Sequence, residues 1–194
     1  MTLDIHKHVP SNAPTIGNCV TRFIGRVMMK LIGYKIEGRF ANEPKMIIIG
    51  SPHTSNWDLF LAVGLMLSLS VRINFMMKKE AFFFPFKSLF MALGGIPVDR
   101  SSPQQVIKSV IGGFQSHERY WVAILPEGTR DSVTQWKSGF IRIAKSADVP
   151  IFIIGVDSKT KTIHLDRLAL DNETADDLRE YSSKRFSGII PKNN

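Results

Sequence analysis

A histidine and an aspartate stand five residues apart in the segment Ser51-Pro-His-Thr-Ser-Asn-Trp-Asp58. Residues five apart on one continuous helix point about 140° away from each other. His53 and Asp58 can therefore serve one site only if His53 precedes the helix and Asp58 lies in its first turn. An aspartate that accepts a hydrogen bond from one ring nitrogen leaves the other nitrogen as a general base. The same residues also fit an ordinary loop histidine and an acid favoured by the helix dipole, and both interpretations stay open.

No side chain of the usual nucleophilic kind accompanies this pair. The motif Gly-x-Ser-x-Gly is absent. The single cysteine, Cys19, lies on an apolar helical stripe, so we expect a small core residue; one cysteine also excludes an intrachain disulfide and a cysteine-based zinc site. The other histidines have no metal-ligand spacing with carboxylates, and we expect neither a metal nor a cofactor. His53 would therefore activate a hydroxyl group of the substrate itself.

Two further segments place charged residues directly after a predicted strand. They are Asp99-Arg100, after Ile96–Val98, and Glu127-Gly-Thr-Arg130, after Trp121–Leu125. Arg100 and Arg130 can bind a phosphate through paired hydrogen bonds, and Gly128 permits a close backbone approach. Glu127 would pair with an arginine or accept hydrogen bonds from polyol hydroxyls. Each segment alone also fits an ordinary turn, but together with His53 they indicate a site for a phosphate-bearing alcohol.

These segments require a sheet that brings strand ends together. Short apolar runs, typical of buried strands, alternate with helical patterns. The strands are Met46–Gly50, Arg72–Met77, Ile96–Val98, Trp121–Leu125 and Ile151–Val156, with Thr160–Leu165 as an edge strand; the helices include one ending at Leu69, then Gln104–Ser116, Gly139–Ser146 and Asn172–Arg185, the last capped by Asn172. Such alternation predicts an α/β fold: a single domain with a mixed, mostly parallel sheet flanked by helices.

An amphipathic helix precedes the first strand. Residues 1–12 are predicted to be a flexible lead-in and residues 13–194 a single domain, within which residues 13–33 form this helix. Its apolar residues recur at helical spacing from Ile16 to Ile32, and Arg22, Arg26 and Lys30 fall on another face, before Gly33 ends the helix. The pattern suits a helix lying in an anionic membrane interface. It equally suits a helix packed on the core with a solvated basic face.

Charge and length restrict the partners. Lys and Arg number 25 against 17 Asp and Glu, a net charge of +8, which favours nucleic acid, acidic lipid, phosphorylated substrates or an acidic carrier protein. The basic residues are spread along the chain without a nucleic-acid motif, so we expect no nucleic acid as a partner.

The longest apolar run, Leu59 to Val71, is shorter than the roughly 20 residues of a spanning helix. The opening residues also lack the layout of a signal peptide, so we expect no transmembrane anchor. With the basic amphipathic helix, this predicts a peripheral membrane protein.

A dense phenylalanine cluster departs from the globular pattern. The segment Ala81-Phe-Phe-Phe-Pro-Phe86 and Phe90 hold five of the 13 Phe residues of the chain. Three consecutive Phe cannot all face one core from a single helix or strand, so some must be exposed or line a large apolar cavity. Either arrangement provides a contact for an acyl chain or a membrane. A locally dense corner of the core is the alternative.

Four blocks, in this order, resemble the glycerophospholipid acyltransferase family, whose best-known members are the 1-acylglycerol-3-phosphate acyltransferases. They are Pro52-His-Thr-Ser-Asn-Trp-Asp58, Gly94-Gly-Ile-Pro-Val-Asp-Arg100, Leu125-Pro-Glu-Gly-Thr-Arg130 and Val149-Pro-Ile-Phe-Ile153. The first resembles the His-x4-Asp block of the family and the third its Phe-Pro-Glu-Gly-Thr-Arg block. Two positions depart from the family pattern: Pro97 replaces a larger residue, and Ile153 replaces a proline. The resemblance covers about Gly38 to Val156.

The resemblance implies an O-acyltransferase of phospholipid biosynthesis. His53 would be the base and Asp58 its orienting acid. The acceptor would be held by Lys78, Arg100, Glu127, Gly128, Thr129 and Arg130, with Lys137 as a further candidate. The acceptor would be a lysophosphatidic-acid-like lipid and the co-substrate acyl-CoA or acyl carrier protein, at the cytoplasmic face of the inner membrane. Transfer to another lysolipid or an amino-acid-containing lipid, a thioester hydrolase and a non-catalytic phospholipid-binding module are the alternatives.

Overall fold

The fold is built on a seven-stranded mixed sheet. The computed structural model describes residues 4–51, 57–99, 102–127 and 135–187. The strands are β1 (Lys35–Gly38), β2 (Lys45–Ser51), β3 (Asn74–Lys78), β4 (Gly95–Val98), β5 (Tyr120–Ile124), β6 (Ile151–Asp157) and β7 (Thr162–Leu168). The helices are α1 (Ile5–His8), α2 (Cys19–Ile32), α3 (Trp57–Leu69), α4 (Phe86–Ala92), α5 (Pro103–Ser116), α6 (Gly139–Ala147) and α7 (Ala175–Arg185).

The strand order is β1-β7-β6-β2-β5-β3-β4. Strands β6, β2, β5, β3 and β4 are parallel to one another, β7 is antiparallel to β6, and β1 is parallel to β7. The carboxyl ends of five strands therefore lie along one margin of the sheet, which we call the carboxyl edge. This topology confirms the predicted single α/β domain with a mixed, mostly parallel sheet.

Helices cover both faces of the sheet. In β2 the alternate residues Met46 and Ile48 pack with α2 and α3, whereas Ile47 and Ile49 pack with α5, α6 and α7. All four side chains are buried, which explains why β2 is a continuous apolar run, as central parallel strands are. We call the two sides the α3 face and the α5 face.

Helix α4 lies on the α3 face, at the end of the sheet formed by β4. Gly95 of β4 pairs with Phe75, which packs against the α3-face core. A Cβ at Gly95 would lie 2.8 Å from the carbonyl oxygen of Phe90 and 3.1 Å from the ring of Phe82. Paired residues of parallel strands point to the same face, so α2, α3 and α4 all cover that face.

Several elements differ from the sequence-based expectation. Strand β7 is not an edge strand, because β1 pairs along its outer side; β1 was not predicted, since a four-residue strand with Ile36 as its single buried residue carries little periodicity. Helix α7 begins at Ala175 and is capped by Thr174 rather than Asn172, because Thr174 and Asp177 form a reciprocal capping box.

The segment expected to be a lead-in contains α1 and a buried histidine. His8 Nδ1 lies 2.7 Å from the carbonyl oxygen of Gly38, and its side chain is buried. The predicted boundaries of the lead-in and of the domain stay predictions. None of the helices among the described residues has the length and hydrophobicity needed to cross a bilayer.

Helix α2 turns much of its apolar stripe towards solvent. The helix begins at Cys19, capped by the Asn18 side chain, rather than at residue 13, and Gly33, with φ of 79°, ends it as predicted. The exposed residues are Val20, Phe23, Ile24, Val27 and Leu31. Arg22 instead points to the end of α3, where its Nε donates to the Oγ of Ser70, the residue after the helix, at 3.0 Å. The core-packed interpretation of the stripe is therefore wrong, and so is the expectation that Cys19 is a core residue, since it is exposed.

Gly25 allows α2 and α3 to pack closely. A Cβ at this position would lie 2.3 Å from the backbone nitrogen of Ser68, far inside van der Waals contact. Further along, a Cβ at Gly64 would lie 3.1 Å from the sulfur of Met29. The two helices therefore run antiparallel, and the end of α2 lies level with the beginning of α3.

We expect Gly25→Ala to lower the free energy of unfolding by about 1–3 kcal/mol, because the methyl group must displace backbone atoms of α3. Urea unfolding followed by circular dichroism measures this change. Gly112→Ala in α5 is the matched control, since a Cβ there meets no atom within 4 Å and alanine is the better helix former. Equal stability of the two variants would contradict the close packing of α2 on α3.

Candidate functional site

The strand ends that precede the predicted site segments are neighbours at the carboxyl edge. β2 lies beside β5, β5 beside β3 and β3 beside β4, so the chain leaves four neighbouring strands at Ser51, Ile124, Lys78 and Val98. Three of these strands are followed by segments that contain residues expected at the site, and the fourth, β3, ends with the expected acceptor ligand Lys78. This neighbourhood is what open α/β sheets use for ligands.

Five of the predicted site residues fall outside the described part of the chain. They are His53, Arg100, Gly128, Thr129 and Arg130. Their roles, and the approach of His53 to Asp58, stay predictions. The structure describes the other four, which are Asp58, Lys78, Glu127 and Lys137.

Asp58 is the second residue of α3 and lies in its first turn, as predicted. Its surroundings include Tyr34, which follows the end of α2. Burial raises the pKa of Tyr34, and the negative charges of Asp157 and Asp58 raise this pKa further. The carboxylate of Asp58 is therefore within electrostatic reach of the Tyr34 hydroxyl, as the antiparallel packing of α2 on α3 requires.

Asp157, at the end of β6, adds a second acid to this part of the carboxyl edge. Its carboxylate accepts hydrogen bonds from Ser187 Oγ at 2.6 Å, Thr160 Oγ1 at 2.8 Å and the backbone N–H of Lys159 at 3.0 Å. These bonds, that from Ser187 first, hold the pKa of Asp157 below its usual value. Sequence reasoning missed both Tyr34 and Asp157, because the packing of α2 and the pairing of β6 bring them here and no local motif marks them.

Glu127 and Lys137 lie on either side of a stretch that is only partly described. Glu127 follows β5 and is 9% exposed, so its carboxylate is largely shielded from water. The backbone N–H of Lys137 donates to the carbonyl oxygen of Pro126 at 3.1 Å, while the Lys137 side chain is exposed. The two candidates are thus brought together at the end of β5, and buried Trp136 fixes the returning chain there.

Lys78 ends β3 with an exposed side chain and pairs with Val98 of β4. The next residue, Lys79, donates from Nζ to Asp99 Oδ2 at 2.7 Å. The sequence contained the signal for this contact, since Lys79 and Asp99 each follow a predicted strand, but only the pairing of β3 with β4 identifies them as partners.

No group of three or more His, Cys, Asp or Glu residues suited to a metal occurs within residues 4–51, 57–99, 102–127 and 135–187.

We expect Asp58→Asn to lower the pKa of Tyr34, because removing the nearby negative charge makes the phenolate less unfavourable. NMR titration of ring-labelled tyrosine measures this pKa, and Tyr120 and Tyr181 are internal references. Asp177→Asn, in α7, is the charge-matched control. A Tyr34 pKa that is the same in wild type and Asp58→Asn would show that the two groups are far apart.

Comparison with known proteins agrees with this architecture. Residues 33–157 match the family model described as Acyltransferase. A 1-acyl-sn-glycerol-3-phosphate acyltransferase from Pseudomonas aeruginosa is 32% identical over 129 residues, covering 63% of this chain and 49% of that protein, so this chain spans about half the length of that relative. The fold is also that of the crystal structure of PlsC, the 1-acyl-sn-glycerophosphate (LPA) acyltransferase from Thermotoga maritima, with a TM-score of 0.59, 16% identity and coverage of 85% of this chain and 74% of that one. The resemblance carried by the four sequence blocks is thereby confirmed, and the chain belongs to the acyltransferase family.

Proposed function

We propose that the protein is an O-acyltransferase that moves a fatty acyl group from acyl-CoA or acyl carrier protein to a lysophosphatidic-acid-like acceptor. The product would be phosphatidic acid. The observation that carries the proposal is the meeting of four strand ends at the carboxyl edge: three precede an expected site segment, and β3 ends with Lys78. The family membership of the chain and the activity of its relative from Pseudomonas aeruginosa support it.

The proposed reaction is attack of a lipid hydroxyl on a thioester. His53 accepts the proton of the acceptor hydroxyl while the oxygen forms a bond to the thioester carbonyl carbon. The tetrahedral intermediate collapses as the carbon–sulfur bond breaks, and the thiolate leaves and takes the proton from the His53 imidazolium. Asp58 orients the imidazole and stabilises its charged form. A positioned base contributes about 10²- to 10⁴-fold, and holding the two substrates together supplies much of the rest.

The acceptor headgroup would be bound by the cations around the strand ends. Lys78 is exposed at the end of β3, and Arg100 and Arg130 are expected to add bidentate contacts to the phosphate. Glu127, with Gly128 and Thr129, would then hold the glycerol part, since a buried carboxylate repels a phosphate but accepts bonds from hydroxyls. Lys137 is a further cation beside this group.

We expect His53→Ala to reduce kcat by about 10²- to 10⁴-fold, because the hydroxyl loses its base. Thiol release from acyl-CoA measures the rate. Mass spectrometry of the lipid products from mixed lysolipids identifies the acceptor. His6→Ala is the matched control, because His6 is exposed on α1, beside β1 rather than at the carboxyl edge.

Two outcomes contradict the proposal. Near-wild-type turnover in His53→Ala would exclude His53 as the base. Thiol release that does not require an acceptor would identify a hydrolase instead, and binding without any thiol release would identify a lipid-binding module.

We infer further that the protein docks on a membrane through the α3 face. All three helices of this face expose large apolar side chains, namely Val20, Phe23, Ile24, Val27 and Leu31 of α2, Phe60 of α3, and Phe83, Phe84, Leu89 and Met91 around α4. Phe84 is 93% and Leu31 82% exposed. Large apolar surfaces of this kind mark binding sites, and the net charge of +8 favours anionic lipid. We expect the site to be the cytoplasmic face of the inner membrane, where the lysolipid would be found.

We expect Leu31→Asp to weaken vesicle binding by at least about tenfold, because the side chain can no longer enter the apolar layer. Flotation with vesicles containing anionic lipid measures the bound fraction. Leu170→Asp is the matched control: Leu170 is 63% exposed but lies between β7 and α7, away from α2, α3 and α4.

Added salt should weaken the binding of the wild type, because it screens the attraction to anionic lipid. Binding that salt leaves unchanged would assign the contact to the apolar residues alone. Equal binding of Leu31→Asp and wild type would contradict docking through α2.

A further inference from the structure

Lys79 and Asp99 form an ion pair across the ends of β3 and β4. The Nζ–Oδ2 distance is 2.7 Å. Because Lys78 pairs with Val98, the ion pair joins the two residues that directly follow a matched pair of strand ends. It therefore lies at the carboxyl edge, in the part where the acceptor phosphate is expected.

The charge of Asp99 is unfavourable at this location. Asp99 follows β4, directly precedes Arg100 in the sequence, and lies one strand away from Lys78. A carboxylate at this position repels a phosphate bound at Lys78, and a neighbouring ammonium reduces that repulsion. The Lys79 side chain is 58% exposed and that of Asp99 39%. An ion pair this exposed contributes little to folding stability, so its main effect is on the electrostatic potential at the carboxyl edge.

We propose that Lys79 is a positioning residue for the acceptor: its ammonium offsets the charge of Asp99 next to Lys78, so that Lys78 can bind the phosphate. The inference rests on the proposed function, from which it takes the phosphate-bearing acceptor. The hydrogen bond with Asp99 also raises the pKa of Lys79, which keeps the ammonium charged at neutral pH. Lys79 thus acts through Asp99, and Lys78 keeps the role in acceptor binding.

Equilibrium binding of lysophosphatidic acid without an acyl donor tests this role. Calorimetry in nonionic detergent micelles gives the dissociation constant. We expect Lys79→Ala to weaken binding about fivefold, the change expected for a unit charge about 8 Å from another in partly screened surroundings. Lys79→Arg keeps the charge and should bind as wild type. The double variant Lys79→Ala/Asp99→Asn should return close to wild type, because it removes the carboxylate as well.

The chain provides a matched control at the other end of the sheet. Lys35 and Glu37 form an ion pair of 2.7 Å with similar side-chain exposures, 61% and 50%, on the outer strand β1. Lys35→Ala should leave the binding unchanged. Monoacylglycerol, which has the tail but no phosphate, should bind equally to wild type and Lys79→Ala. In turnover experiments Lys79→Ala should raise the KM for the acceptor and leave kcat unchanged.

The outcomes separate this inference from the proposed function. Unchanged binding by Lys79→Ala, or a double variant as weak as the single one, would overturn the role of Lys79. A wild type that fails to bind lysophosphatidic acid would overturn it as well. A wild type that binds the lipid in a Lys79-dependent way but transfers no acyl group would contradict the proposed function alone.

Discussion

The parallel pairing of β2 with β5 on one side and β6 on the other is the constraint on which the site depends. Ile47, Ile48 and Ile49 each pair with both neighbours, and their burial on the two faces leaves the strand no freedom to shift. A slip of one residue would turn every side chain of the strand to the opposite face of the sheet, so that each would meet the wrong set of core residues. The carboxyl end of β2 is thereby held between those of β5 and β6, and Asp58 and Asp157 arrive at the same margin.

The sequence predicted the sheet well because buried parallel strands are continuous apolar runs. The same reasoning failed for β1, in which Lys35 and Glu37 face solvent and Ile36 alone is buried, so that only pairing with β7 makes it a strand. The two departures from the family blocks also follow from the sheet. Pro97 lies on the outer strand β4, where a missing N–H is tolerated, whereas Ile153 is fully buried in β6 and pairs with Ile49 of the neighbouring strand β2.

The site could be predicted only as far as neighbouring strand ends allow. Consecutive polar segments after parallel strands indicated a common edge, which the topology confirmed. Contacts between segments could not be predicted, because they depend on which strands are adjacent in space. Lys79 and Asp99 lie twenty residues apart and meet because β3 pairs with β4. Tyr34 comes near Asp58 because two glycines let α2 pack closely along α3.

Helix α2 reverses the usual arrangement of an amphipathic surface helix. Arg22 and Gly25 face α3, while Phe23 and Leu31 face outwards. Each large apolar side chain left in water forgoes about 1.5–3 kcal/mol of burial free energy, so an apolar phase that covers the stripe would lower the free energy. In the docking proposed above, a bilayer would supply that phase and would also hold the tails of a lysolipid acceptor. Since α2 runs antiparallel to α3, its outward stripe ends level with the first turn of α3, which carries Asp58. A lipid whose tail lies beside this stripe would therefore have its headgroup directed to the carboxyl edge.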